Sequence, residues 1–183
     1  MELDPVDRIT ADAIGPPGER TFYIQARQGG ELVTVVVEKQ QVQLLSSSIL
    51  EILSRVGKET AQGPGESDMA LEQPVEPLWR AGRLSIGYQE ERDLILLEIE
   101  ELVSEPEDEE EADEAAEVLR ELESPEADRV RLWATREQML SLSRQGAAVC
   151  ARGRPTCQFC GNPLDPDGHV CPAMNGHGQI GGE

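Results

Sequence analysis

Histidine is nearly missing from this chain: 183 residues contain two, His169 and His177, both close to the C-terminus. A Ser/His/Asp or Cys/His catalytic set needs an imidazole beside its nucleophile, so such a set is hard to build here. Aromatic side chains make up 3% of residues and all hydrophobic ones 38%. The core must therefore be modest and filled by Leu, Val and Ile. No apolar run approaches the roughly 20 residues that cross a bilayer. The first ten residues, MELDPVDRIT, lack the charged-then-apolar pattern of a secretory signal. A cytoplasmic protein without membrane association is the expectation. There is no phosphate loop and no Gly-x-Gly-x-x-Gly after an expected strand. Basic residues are short as well, 16 against 36 acids, for a formal charge of −20. A polyanion repels phosphate backbones and anionic lipid, which disfavours nucleic acid as a partner.

What the chain does have is a cysteine-rich end. Cys157 and Cys160 stand in Cys-x2-Cys spacing with Gly161 behind them, the arrangement of a zinc knuckle. A Pro-, Asp- and Gly-rich turn follows, Asn162 to Gly168. Cys171-Pro172 then opens a second knuckle. A full ribbon would place a fourth cysteine three residues on, but that residue is Met174, and a thioether is a poor zinc ligand. His169 and His177 are the candidates for the fourth position. Either completes a Cys3His set, which closes the coordination shell and makes the zinc structural. The competing uses of these thiols are a disulfide, which needs an oxidising compartment, and free or redox-active thiols. Cys150 stands apart in an expected helix and reads as a small buried hydrophobe.

Ahead of this tail, 154–183, the sequence reads as one α+β domain over 1–153. Met1 to Glu19 is expected to run over the surface. Its Asp4, Asp7 and Asp12 could gather round a cation, although Asp is common in such loops without doing so. From Thr21, Phe22, Ile24 and Ala26 alternate with polar residues, a half-buried strand. Gly29-Gly30 signals a hairpin into the β-branched run ending at Glu38. Val42, Leu45, Ile49, Ile52, Leu53 and Val56 share one helical face, with Gly57 as the stop. A Pro- and Gly-rich linker covers Glu59 to Pro77. Strands follow over Leu78–Gln89 and Asp93–Leu102, joined by a short hairpin at Glu90 to Arg92. Gly82 and Gly87 mark bulges or close backbone approach.

Residues 104–128 hold thirteen acids against Arg120. Such a run self-repels, so 104–125 is expected to be a disordered insertion. A fifth strand covers Arg129–Ala134. Thr135 then caps a helix with Gln138 at the capping-box position. That helix turns Met139, Leu142, Ser143 and Ala147 inward and ends near Gly153. The expected architecture is an antiparallel sheet of about five strands with two helices. A short internal echo aligns Val37–Val42 and Leu45 with Ala134–Met139 and Leu142, and raises a duplication as a hypothesis.

Three stretches carry a resemblance: DPVDRITADAIGPPGERTFYIQAR near the start, Pro74 to Gly82, and CQFCGNPLDPDGHVCP near the end. Together they resemble the uncharacterised bacterial family of the domain of unknown function numbered three thousand and ninety. The resemblance covers nearly the whole chain apart from the acidic segment. It implies a metal set of Cys157, Cys160, His169 and Cys171, favouring His169 over His177, with Ala173 where Arg is expected. It implies a cytosolic bacterial protein and supplies no activity. The leading expectation is a non-enzymatic interaction or adaptor protein, with a structural zinc site presented to a protein partner not named by the sequence. A second is an enzyme or enzyme subunit acting on a phosphorylated or nucleotide-like small molecule, held by Arg20, Arg27, Arg80, Arg83 and Arg92. A third is nucleic-acid binding through the ribbon, helped by Arg144, Arg152 and Arg154.

Overall fold

The computed structural model describes residues 1–103, 127–153, 157–160, 169–171, 173 and 179–180. Its elements are β1 (Glu2–Leu3), β2 (Arg8–Ile14), β3 (Thr21–Gln28), β4 (Glu31–Val37), α1 (Lys39–Val56), β5 (Ala81–Gln89), β6 (Leu94–Glu101), β7 (Arg129–Thr135), α2 (Arg136–Ala151), β8 (His169–Val170) and β9 (Gln179–Ile180), with a 3-10 turn at Glu66–Met69. The fold is α+β, as expected. The strands, however, form two larger sheets, ordered β1-β7-β6-β5 and β2-β3-β4, plus the small β8-β9 pair.

Alternation builds the strands. Phe22, Ile24 and Ala26 of β3 and Val33, Val35 and Val37 of β4 are buried, and so are Ile95, Leu97 and Ile99 of β6 with Val130, Leu132 and Ala134 of β7. Facing residues pair in register, Ile24 with Val35 and Leu97 with Leu132. Gly29 has a φ of 57°, which lets it turn the first hairpin.

The N-terminal segment departs from expectation. Met1 to Glu19 supplies β1 and β2, and buries Leu3, Val6, Ile9 and Ala11. Small alanines at the alternating positions Ala11 and Ala13 hid the strand signal. The 59–77 linker also packs more than its composition suggests. Met69 is buried, and the Thr10 hydroxyl of β2 donates to its carbonyl.

The internal echo is a structural repeat. Strands β2, β3 and β4 followed by α1 match β5, β6 and β7 followed by α2, each trio antiparallel. Buried Val42, Leu45, Ser46 and Ile49 of α1 stand where Met139, Leu142, Ser143 and Gly146 stand in α2. The helices cross at the matched serines, where the Ser143 Oγ donates to the Ser46 carbonyl at 2.8 Å. Ala147, expected inward, is exposed. Gly146 takes the inward place, and its missing side chain admits Ser46 and Val42.

The two halves embrace. The segment entering the second half lies along the first half's last strand, with Leu78 N donating to Thr34 O and Val36 N to Trp79 O. The segment entering the first half lies along the second half's last strand, with β1 parallel to β7 and Val6 N donating to Trp133 O. Each helix cap repeats the exchange. Gln41 accepts from Glu38 N and donates to the Ala81 and Gly82 carbonyls. Gln138 accepts from Thr135 N and donates to the Val6 and Asp7 carbonyls. This reciprocal pairing is why two sheets form where one was expected.

Candidate metal centre

Cys157 precedes a turn at Gln158–Cys160, and Cys171 follows directly on β8. The turn returns Cys160 toward Cys157, and the β8–β9 pairing of His169 with Ile180 fixes the backbone that leads into Cys171. The three sulfurs come within 4.8 Å of one another. Cys157 and Cys171 are buried, and their sulfurs lie 3.8 Å apart. That is far beyond the roughly 2.05 Å of a disulfide. Burial pushes the Cys171 thiol up. The Ala173 backbone opposes this, and the neighbouring Cys160 and Cys157 add to it. Three soft donors crowded at one buried point disfavour one another as anions, and a bound cation would relieve that. The cluster is compatible with a metal site.

The expected fourth ligands stand differently. His169 opens β8, two residues before Cys171. His177 lies outside the described residues, as do the 104–125 insertion and Arg154. Between Cys157 and Cys160, Phe159 is 56% exposed. Cys150 is buried at the end of α2, its Sγ 3.7 Å from the Lys39 carbonyl. Burial raises its thiol, with Lys39 opposing. It is the small core residue the sequence suggested.

The other candidate residues are mostly occupied. Arg27 pairs with Glu72 at 3.2 Å, Arg80 with Glu38, and Arg92 donates to Asp4 at 2.9 Å while stacking 4.9 Å from the Trp133 ring. Arg20 reaches the Val149 carbonyl at 3.4 Å. Arg20 and Arg80 share a cavity of about 120 Å³ with Lys39, and Arg83 lines a separate apolar groove beside Leu44, Leu84 and Ile86. Arg152 pairs with Glu66 at 2.7 Å. Among Asp4, Asp7 and Asp12, the second accepts from Gly29 N and the third from Ala13 N. Hydrogen bonding from Arg92 holds the Asp4 carboxyl below its usual range, against a smaller effect of burial.

One polar cluster escaped sequence reasoning. Asp93, at a φ of 53° after the β5–β6 turn, accepts from the Tyr88 hydroxyl at 2.6 Å, from both Nε and Nη2 of Arg136, and from Lys58. An Asp in a short hairpin was the signal available, but its partners come from β5, α2 and the loop after α1. No helix among the described residues is long and apolar enough to cross a membrane.

A protein-family model described as protein of unknown function (DUF3090) matches residues 1–171. The match ends at Cys171 and so takes in all three clustered cysteines. No curated protein and no solved structure matches the chain.

Proposed function

Because the chain belongs to the DUF3090 family, whose description carries no activity, we propose a function from geometry: a cytoplasmic, non-enzymatic adaptor whose C-terminal unit, 154–183, is held by one structural zinc and offered to a protein partner. The observation that carries this reading is the 3.8 Å spacing of the Cys157 and Cys171 sulfurs. Two thiolates each ~2.3 Å from a tetrahedral zinc stand ~3.8 Å apart. Soft sulfur donors favour zinc over hard cations, and such thiols persist in a reducing compartment. His169 is the fourth ligand in this reading. The backbone is extended at His169–Val170, and residues two apart in an extended chain share a side. His177 is the alternative.

The adaptor role draws support from exposed apolar surface. Phe159 projects between two metal-ligand cysteines, and Leu44 beside the apolar groove is 68% exposed. The arginines that an anionic substrate would need are mostly committed to carboxylates, which favours the adaptor over the enzyme.

Metal analysis of untagged protein tests the zinc: one zinc per chain is expected, and iron or no metal overturns the reading. His169→Ala should weaken zinc binding by about 10–100-fold or more, while His177→Ala should change it little. Reversed effects move the fourth ligand to His177. For the adaptor role, a partner captured reciprocally by the full chain should be lost from a Phe159→Ser variant that keeps its zinc. Undiminished capture by that variant rejects Phe159 as the contact.

A further inference from the structure

The face of α2 that meets the 59–70 segment holds a cavity of about 330 Å³. Its wall includes Ser141, Arg144, Gln145 and Ala148 from α2, with Glu66 and Met69 opposite. A volume of this order suits a small molecule.

Gln145 is the side chain to follow. It is 6% exposed, and its side-chain amide is not among the sealed, unpartnered polar atoms, so what exposure it has opens onto the cavity. It lines this cavity and also the adjoining one, where Asp12 and Ser67 lie. The repeat sharpens the point. Ser141 and Gln145 occupy the positions that Leu44 and Ser48 hold in α1, so a polar wall stands where the first half has an apolar groove. Arg144 is exposed and has no carboxylate partner among the described residues. Among the described residues, the one other cation lining the two cavities, Arg152, is already neutralised by Glu66.

We infer that this cavity binds a small monocarboxylate, with its head group on the Arg144 guanidinium and the Gln145 amide and its short apolar stem against Met69 and Ala148. Guanidinium and amide N–H groups match carboxylate oxygens. One uncommitted cation, beside Glu66 and within a chain of charge −20, favours a singly charged head over a phosphate dianion. The site does not depend on the adaptor reading.

Butanoate and inorganic phosphate, titrated at matched ionic strength into isotope-labelled full-length protein, test it. Butanoate should saturably shift the Gln145 side-chain amide and the Arg144 guanidinium signals. Binding should fall at least tenfold in Gln145→Leu, whose melting temperature in the absence of ligand should stay within a few degrees. Arg144→Ala alters an exposed side chain, keeps the fold, and should weaken binding equally. Absence of saturable shifts overturns the site, and so does unchanged binding in both variants. Saturation by phosphate but not by butanoate overturns the carboxylate assignment.

Discussion

Asp93 joins β5, α2 and the loop after α1 through one carboxylate. The Tyr88 hydroxyl and then Arg136 hold its carboxyl down at about 2, with burial opposing and Lys58 assisting. The folded-state value lies below the ordinary 3.8, so the carboxylate contributes stability above about pH 4. That contribution fades as pH falls toward 2. Asp93→Asn should lower stability at pH 7, and the gap to the unsubstituted protein should close between pH 4 and 2 in urea melts. A gap constant across that window would refute the role. Gly146 makes a second residue-scale case. A Cβ there would lie 2.7 Å from Ser46 Oγ and 2.9 Å from Val42 Cγ1. Gly146→Ala should cost about 1–3 kcal/mol through overpacking, read by chemical denaturation. Helical periodicity alone had pointed to Ala147 as the inward residue, because nothing local shows that a second helix crosses at its neighbour.

At the scale of elements, the two helix caps do more than end helices. Thr135 accepts from Gln138 N at 3.2 Å, a capping box legible in the sequence. What was not legible is that Gln138 and Gln41 also bridge to the opposite half. Thr135→Ala should cost ~1 kcal/mol, the usual loss of a cap. Gln138→Ala should cost more, about 1–3 kcal/mol, because it also strips two backbone carbonyls of their donor. Gln41→Ala should match it, since the repeat gives it the same pair of acceptors. Equal losses for Thr135→Ala and Gln138→Ala would show that the bridges across the halves are energetically idle. The same exchange explains the missed β1 and β2: their burial depends on β7, α2 and the 3-10 turn.

For the whole molecule, the acidic segment supplies a fourth test. Glu101 N donates to Asp128 O at 2.8 Å, and Glu100 pairs with Arg129. The end of β6 and the start of β7 thus lie at neighbouring points, which a short turn can join. Deleting Glu105 to Glu123 should leave the melting temperature within a few degrees, with relief of like-charge repulsion if anything raising it. A large drop would mean that the segment packs on the domain. Chelation is the fifth test. If 154–183 is a unit with its own metal-held core, metal removal should melt it and leave the amide-exchange protection of β3 and β6 unchanged. Loss of protection in those strands would merge the two units into one.

The sequence by itself determined the α+β class, most strands, both helices with the Gly57 stop of α1 and the Thr135 cap of α2, and the three cysteines that converge. Each of these rests on local physics: apolar alternation, helical periodicity, a glycine at positive φ, and ligand spacing short enough to be set by one turn. Only the tertiary structure decided that the strands divide between two sheets, that the halves trade their entry segments, and that Asp93 gathers Lys58, Tyr88 and Arg136. It also decided that Gln145 lies buried against a cavity. These features depend on groups far apart in the chain meeting across an interface, and no single window of sequence carries both sides of such a contact.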